Sequence, residues 1–211
     1  MVTIDRRAFV AGLTAGLAAA RQASASSHAR AQSPALAAPA LRPLALGAIR
    51  PDGWLLRQLK IQASGLTGHL DEFWPDIADS QWFGGRAEGW ERAPYWLDGA
   101  IPLAWLLDDQ GLKDRITRHV TYVLDHQRDD GWYGPYPLDA VSKRYDLWAI
   151  LLANKVLAQY HDATGDPRAL SAVTRSLQAM AQGLGRTPLY DWGRFRWYEG
   201  LVPIYYVYER R

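Results

Sequence analysis

One eight-residue pattern occurs twice in this 211-residue chain, at 96–103 and again at 197–204. Each copy reads tryptophan, any residue, an acidic residue, glycine, two further residues, proline and an aliphatic residue. Both copies lie in apolar stretches, where Pro102 and Pro203 are expected to kink or locally open a helix at the same height. The duplication predicts that one helical unit is repeated along the chain.

Helical periodicity dominates the rest of the chain, and almost no segment alternates apolar and polar residues as a strand does. The predicted helices are 51–65 (or to 68), 94–107, 112–127, 145–160, 166–185 and 195–208. Apolar helices alternate with amphipathic ones, which is typical of a buried helix followed by a surface helix. We therefore predict an all-α fold built of helical hairpins, arranged as an α/α toroid with inner and outer helices.

The N-terminus has the order of segments found in an export signal. Arg6 and Arg7 form a twin-arginine pattern, an apolar stretch follows at 11–20, and small-residue cleavage sites come next. We expect a twin-arginine signal over 1–31, a Pro/Ala-rich linker over 32–48 and a single domain over 49–211. The apolar stretch is too short to span a bilayer stably. The predicted location is therefore the periplasm or the cell exterior, without a membrane span.

Composition excludes several other functions. The chain has 24 basic and 22 acidic residues, and four of the basic residues fall in the predicted signal, so no basic surface for nucleic acid is expected. It contains no cysteine, which excludes a thiolate nucleophile and a cysteine-ligated zinc. Its five histidines show no metal-binding spacing. We expect neither a metal nor another cofactor.

The segment 65–99 interleaves indoles, carboxylates and glycines, and we interpret 69–93 as a long functional loop. Flat rings beside carboxylates suit sugars, because a sugar ring offers C–H faces for stacking and hydroxyls for hydrogen bonds. An oligo- or polysaccharide is therefore the expected ligand. The predicted substrate-binding residues are His69, Asp71, Trp74, Trp82, Trp90, Glu91, Arg92, Trp132, Asp146 and Trp197.

Structural alternatives stay open for several of these residues. His69 is equally consistent with a helix cap, and Asp146 with an acid at a helix end. Glu91 and Arg92 together fit a surface pair that holds the loop. Trp54, Trp105 and Trp148 lie in apolar helical runs and are predicted to be core residues instead.

Three carboxylates are candidates for catalysis. Asp98 and Glu199 occupy the same position in the two copies of the repeated pattern, and glycoside hydrolysis needs two carboxyl groups across the scissile bond. Glu88 lies between small residues near a tryptophan, where surrounding indoles would raise the pKa of a general acid. The alternative for Asp98 and Glu199 is that acids in a first helical turn favour the helix dipole.

Four runs of sequence carry a family resemblance. They are 44–55, 68–76, 87–99 and 130–135, and they resemble the bacterial β-L-arabinofuranosidase-like proteins of glycoside hydrolase family 127. The resemblance covers nearly all of the chain after the predicted signal. It implies the N-terminal portion of an (α/α)6 catalytic domain, with about three of six hairpins, that removes terminal β-L-arabinofuranose from plant-derived glycans.

The chain departs from that family in its catalytic machinery. Characterised members use a cysteine nucleophile, a glutamate acid/base and a cysteine-ligated zinc further along the chain, so none of those residues carries over here. We expect a truncated chain that associates with itself, pairs with a downstream fragment or lacks activity, because open toroid edges expose apolar helices. The alternatives are a non-catalytic glycan-binding remnant, or another α/α-toroid enzyme such as a polysaccharide lyase or unsaturated-uronide hydrolase.

Overall fold

The predicted helical class is confirmed by a computed structural model, which describes residues 40–135, 146–185 and 188–210. The chain divides into two units between Arg42 and Pro43, and the elements below belong to the second. Among the described residues there are helices and turns but no strand. The α-helices are α1 (Gly53–Ser64), α2 (Leu66–Phe73), α3 (Pro75–Ala78), α4 (Arg92–Leu107), α5 (Gln110–Asp125), α6 (Trp148–Thr164), α7 (Pro167–Leu184), α8 (Trp192–Arg196) and α9 (Leu201–Tyr208), with 3-10 turns at Gln81–Phe83 and Trp197–Gly200.

The core is formed by α4 and α6, which pack against each other and are buried along most of their length. Their neighbours α5 and α7 are amphipathic: α5 buries Ile116 and Val120 while its opposite side is solvated, as the sequence pattern predicts. Burying a fully covered aliphatic side chain stabilises the fold by about 1.5 to 3 kcal/mol. The predicted alternation of buried and amphipathic helices is thus confirmed for these two pairs.

The connection between α6 and α7 follows the predicted capping chemistry. Gly165 ends α6 with φ +72°, a left-handed conformation that costs glycine little. The Asp166 carboxylate accepts the backbone N–H of Arg168, and Pro167 is the first residue of α7, where its missing N–H removes no helical bond. Local sequence therefore defines this turn.

The prediction of a loop over 69–93 is wrong for its first half. Helix α2 continues to Phe73, α3 follows at once, and a 3-10 turn occupies Gln81–Phe83. The reason is that Trp74 adopts an extended conformation before Pro75, which ends one helix, and Pro75 then begins the next. Buried Ile77 anchors these short helices, so only the stretch before α4 is irregular.

The last predicted helix, 195–208, is divided into α8, the 3-10 turn Trp197–Gly200 and α9. The two pattern copies consequently differ. In the first copy Pro102 lies inside the continuous helix α4, and Ile101 is fully buried. At the corresponding place in the second copy, Val202 is 53% exposed. The repeated sequence pattern is therefore set in different packing environments.

Some predictions fall where the structure gives no description. The export signal at 1–31 and the linker residues 32–39 lie outside the described residues, as do 136–145, 186–187 and 211; Tyr145, the predicted first residue of the 145–160 helix, is among them. Within the described ranges, none of the helices has both the length and the apolar character needed to cross a lipid bilayer.

Candidate functional site

The starts of three apolar elements meet around one indole, that of Trp148 at the beginning of α6. The rings of Trp90, Tyr95 and Trp192 lie 5.2, 5.7 and 5.8 Å from it, measured between centroids. Charged groups complete the group, which we call the aromatic–acidic cluster. Its members are Trp90, Glu91, Tyr95, Asp146, Trp148, Trp192, Arg196 and Glu199.

Trp148 is the buried centre of this cluster, with 3% of its surface exposed, as predicted for a core residue. Its Nε1 donates a 3.0 Å hydrogen bond to Oε2 of Glu199. The Arg196 guanidinium lies 4.5 Å from the centroid of the same indole and 5.5 Å from that of Trp192. Arg196 also pairs with Glu199 at 3.4 Å, so a cation, an indole and a carboxylate hold one another in place.

Asp146 joins two helix starts through one oxygen. Its Oδ1 accepts the backbone N–H of Trp148 at 3.0 Å and that of Gly193 at 2.8 Å. Burial raises the pKa of Asp146, and these two N–H donors oppose the rise. The other oxygen, Oδ2, is buried without a hydrogen-bond partner among the described residues. A buried acceptor of this kind is available to a donor that enters the site.

Glu88 caps the start of α4. Its Oε1 accepts the backbone N–H of Trp90 at 2.8 Å and of Glu91 at 2.9 Å, while Oε2 accepts that of Arg92 at 3.2 Å. A carboxylate at this place satisfies N–H groups that have no partner within the helix. The structure thus gives this predicted catalytic residue a clear structural task.

Glu91 contrasts with Glu88, although only three residues separate them. In the described part of the chain its carboxyl makes no hydrogen bond and no ion pair. Burial raises the pKa of Glu91; the charge of Arg92 opposes this, and the negative charge of Glu88 adds to it. An acid without partners, in a partly buried place, is suited to holding a proton.

The two acids of the repeated pattern have different partners. Asp98 on α4 accepts from Lys155 at 2.9 Å and from Gln159 at 2.8 Å, both on α6, whereas Glu199 accepts from Trp148 at the start of that helix. Burial raises the pKa of the Tyr95 hydroxyl, and the negative charges of Glu199 and, more weakly, Asp98 raise it further. The pairing of these two acids across a substrate stays a prediction.

Two predicted ligand residues, Asp71 and His69, belong to other contacts. Asp71 is almost wholly buried, and its Oδ2 lies 3.4 Å from both Arg115 Nε and His119 Nε2, which ties α2 to α5. His69 pairs with Glu72 at 3.0 Å and lines an open groove of about 690 Å³. None of the hydrogen bonds, ion pairs or ring contacts described for these residues reaches the aromatic–acidic cluster.

Arg92 and Trp74 form a separate pair at the edge of α4. The Arg92 guanidinium lies 5.2 Å from the centroid of the Trp74 indole and 3.8 Å from a carboxylate oxygen of Asp76. This arrangement joins the irregular stretch before α4 to the short helix α3. It gives Arg92 a neighbour other than Glu91, contrary to the simple surface pair considered from the sequence.

The remaining tryptophans divide by exposure. Trp82 is 2% exposed and its Nε1 donates to the carbonyl of Trp90 at 2.8 Å, so the prediction that it stacks on a sugar is corrected: both faces are covered by the core. Trp132 is partly buried in the turn at the end of α5. Trp197 is half exposed. Trp54, predicted to be buried, is 69% exposed, because α1 buries none of its side chains.

Sequence reasoning missed Tyr95, Trp192 and Arg196. A signal was present, because Tyr95 and Arg196 each stand immediately before the tryptophan of a pattern copy. Trp192 offered no such signal. Its position beside Trp148 depends on the long-range hydrogen bond from the backbone N–H of Gly193 to Asp146.

The described residues contain no group of three or more histidine, aspartate or glutamate side chains arranged to hold a metal ion. Comparison with known proteins gave no match to a family model, and no significant match among curated proteins or solved structures. The site is therefore interpreted from its own geometry and from the resemblance described above.

Proposed function

We propose that this protein is an exported glycoside hydrolase, related to the β-L-arabinofuranosidase-like enzymes, that hydrolyses a terminal sugar of plant-type glycans. One observation supports this above the others: carboxyl groups, indoles and an arginine are gathered around Trp148 at the start of α6. Glycoside hydrolysis requires two carboxyl groups in different environments. Glu91, without a partner, and Glu199, paired with Arg196, provide such a contrast.

Exposed rings beside the carboxyl groups offer stacking surfaces for a sugar. Tyr95 and Trp192 are 42% and 44% exposed. Trp148 itself is covered by Arg196 and acts as a support rather than as a contact. A saccharide bound here would place its apolar C–H face on these rings and its hydroxyls towards Asp146 and Glu91.

The proposed architecture is part of an (α/α)6 toroid, with α4, α6 and α9 as inner helices. Helix α6 packs against both α4 and α9, as consecutive inner helices do. Beyond them, α9 exposes Ile204 and Tyr205, while α1 exposes Trp54 and Ile61. Apolar faces of this kind favour self-association or pairing with a further fragment of such a domain. Analytical ultracentrifugation should show concentration-dependent association; a strictly monomeric protein at high concentration would oppose this part of the proposal.

Export is proposed through the twin-arginine route. Replacing Arg6 and Arg7 by lysine in a fusion to a folded reporter should retain the reporter inside the cell. The unchanged fusion should deliver it to the periplasm or beyond, and equal delivery by both fusions would contradict the proposed route.

Non-catalytic glycan binding is the second candidate, and a specific observation favours it. The three carboxylates first predicted to be catalytic are all engaged: Glu88 by backbone N–H groups, Asp98 by Lys155 and Gln159, and Glu199 by Trp148 and Arg196. A site of this kind binds hydroxyls without needing a free acid and base.

Sugar release and sugar binding distinguish the two candidates. The full chain is incubated with arabinan and arabinogalactan-type glycans, and released monosaccharide is measured by chromatography. Binding is measured in parallel by affinity electrophoresis. Release that is lost in Glu199→Gln but kept in Glu209→Gln, a control on an exposed helix end, supports the hydrolase. Binding without release supports the second candidate. If neither release nor binding is detected, both candidates are rejected.

A further inference from the structure

The contrast among the acids of the site has a consequence for mechanism. We propose that Glu91 is the catalytic residue that donates the proton to the leaving group, with Glu199 as the carboxylate that acts with it. This assignment rests on the proposed hydrolase function, and it differs from the pairing of Asp98 with Glu199 that the repeated pattern suggests.

Two nearby acids, Glu91 and Asp191, have carboxyls without a partner in the described residues, and of these Asp191 is exposed whereas Glu91 is partly buried. The others are engaged as follows: Glu88 by three backbone N–H groups, Asp146 by two, Asp98 by Lys155 and Gln159, and Glu199 by Trp148 and Arg196. A proton donor must be able to turn towards the substrate. Glu91 is partly accessible and its backbone is held by the cap that Glu88 provides, so its side chain alone is available to move.

Burial favours the protonated form of Glu91, against the net effect of the surrounding charges. Burial is the main cause of its raised pKa, and the carboxylates of Glu88 and Asp146 add to the effect. Arg92 and Arg196 oppose it without reversing it. Two carboxyl groups whose environments separate their roles in this way are the usual basis for assigning an acid and a base.

Glu199, in contrast to Glu91, has two partners. It accepts the indole N–H of Trp148 at 3.0 Å and pairs with the guanidinium of Arg196 at 3.4 Å. Contacts link the surroundings of the two acids: Arg196 pairs with Glu199 and donates to the hydroxyl of Tyr95, whose backbone N–H donates to the carbonyl of Glu91. The ring of Trp90, next to Glu91 in the chain, lies 5.2 Å from that of Trp148, which donates to Glu199.

The step balances as a hydrolysis. Glu91 gives its proton to the glycosidic oxygen while the bond between that oxygen and the anomeric carbon breaks, and the bonding electrons leave with the oxygen. The oxygen of a water molecule forms a new bond to the anomeric carbon, and the water's proton passes to the carboxylate of Glu199. Proton exchange with solvent then restores both groups, so water is the only co-reactant.

A direct titration tests the assignment independently of turnover. The chain has five glutamates, so selective ¹³C labelling of their side-chain carboxyls gives an NMR spectrum with few signals. The signals of Glu91 and Glu199 are assigned by their disappearance in Glu91→Gln and Glu199→Gln. The Glu91 signal should titrate above the ordinary range of a glutamate. Titration at or below that range overturns the assignment, whether or not the protein is active.

Leaving-group dependence provides the second test. Glu91→Gln should lower the rate on a natural sugar–sugar linkage about 100-fold or more, but the rate on a nitrophenyl glycoside by less than about 10-fold, because nitrophenolate leaves without a proton. Glu209→Gln is the matched control and should keep both rates. If the wild-type protein is active and Glu91→Gln affects both substrates equally, or affects neither, the role of Glu91 as proton donor is rejected while the proposed hydrolase function stands. An inactive wild type rejects the proposed function and, with it, this role for Glu91.

Discussion

Tyr95 and Arg196 each stand immediately before one of the two pattern copies, and their side chains meet: Nη1 of Arg196 donates to the Tyr95 hydroxyl at 3.3 Å. The contact joins the start of α4 to the end of α8 across the face of Trp148. The repetition seen in the sequence therefore has a spatial counterpart, because the beginnings of both copies converge on one indole.

Replacing Trp148 by phenylalanine should destabilise the protein by about 2 to 4 kcal/mol. The change removes the N–H that serves Glu199 and leaves space beside Arg196, and a hydrogen bond to a charged group is itself worth about 1.5 to 3 kcal/mol. Urea unfolding measures the loss. Trp197→Phe, at a half-exposed ring, should stay within about 0.5 kcal/mol of wild type. Equal effects at the two positions would argue against a central role for Trp148.

Glu88→Ala should cost about 1 to 2 kcal/mol of stability, since three backbone N–H groups at the start of α4 lose their acceptor. Thermal and urea unfolding report the change. The comparison is Glu209→Ala at the end of α9, where an acid gains nothing from the helix dipole and little change is expected. An unaltered stability of Glu88→Ala would show that the cap is not formed in solution.

Acid should remove the stabilisation that Asp71 provides. Burial alone would raise its pKa, but the hydrogen bond with His119 and the charges of Arg115 and His119 outweigh burial and lower it. Because the folded-state pKa is below the unfolded one, this contribution is present above the ordinary aspartate range and is lost as pH falls through the folded value. Asp71→Asn should flatten the pH dependence of stability below about pH 4. An unchanged slope would contradict the assignment.

Two glycines should respond to alanine in opposite ways. Gly99 lies inside α4, its added Cβ would meet no atom within 4 Å, and Gly99→Ala should stabilise the helix by about 0.5 to 1 kcal/mol. Gly134 has φ +73° and its Cβ would overlap the Trp82 ring, so Gly134→Ala should cost about 2 kcal/mol or more. The melting temperature should rise in Gly99→Ala and fall in Gly134→Ala. A stabilised Gly134→Ala would mean that the turn packs differently on Trp82.

The helices could be predicted from the sequence where local chemistry determines them. The turn through Gly165 and Asp166, and the apolar face of α5, follow from caps and periodicity within a few residues. The short helices before α4 were missed because aromatic and charged residues resemble a loop in composition. Only the buried position of Ile77 shows that the segment is anchored in the core.

The site was only partly predictable, because its members meet through long-range contacts. Asp98 and Glu199 were singled out by the repeated pattern, but their partners differ: Asp98 bonds to Lys155 and Gln159, and Glu199 to Trp148 and Arg196. Trp82 looked like its neighbour Trp90 from sequence, yet its ring faces inward and its indole N–H is consumed by a backbone carbonyl. Orientation of this kind depends on how the stretch before α4 folds back, which no local pattern encodes.

The cap formed by Glu88 also determines how substitutions in this region affect one another. One carboxylate holds the backbone of both Trp90 and Glu91, so a substitution at 88 alters the setting of both neighbours at once. The effects of substitutions at 88 and 91 will consequently be non-additive, so a variant at either position has to be assessed together with the residue at the other.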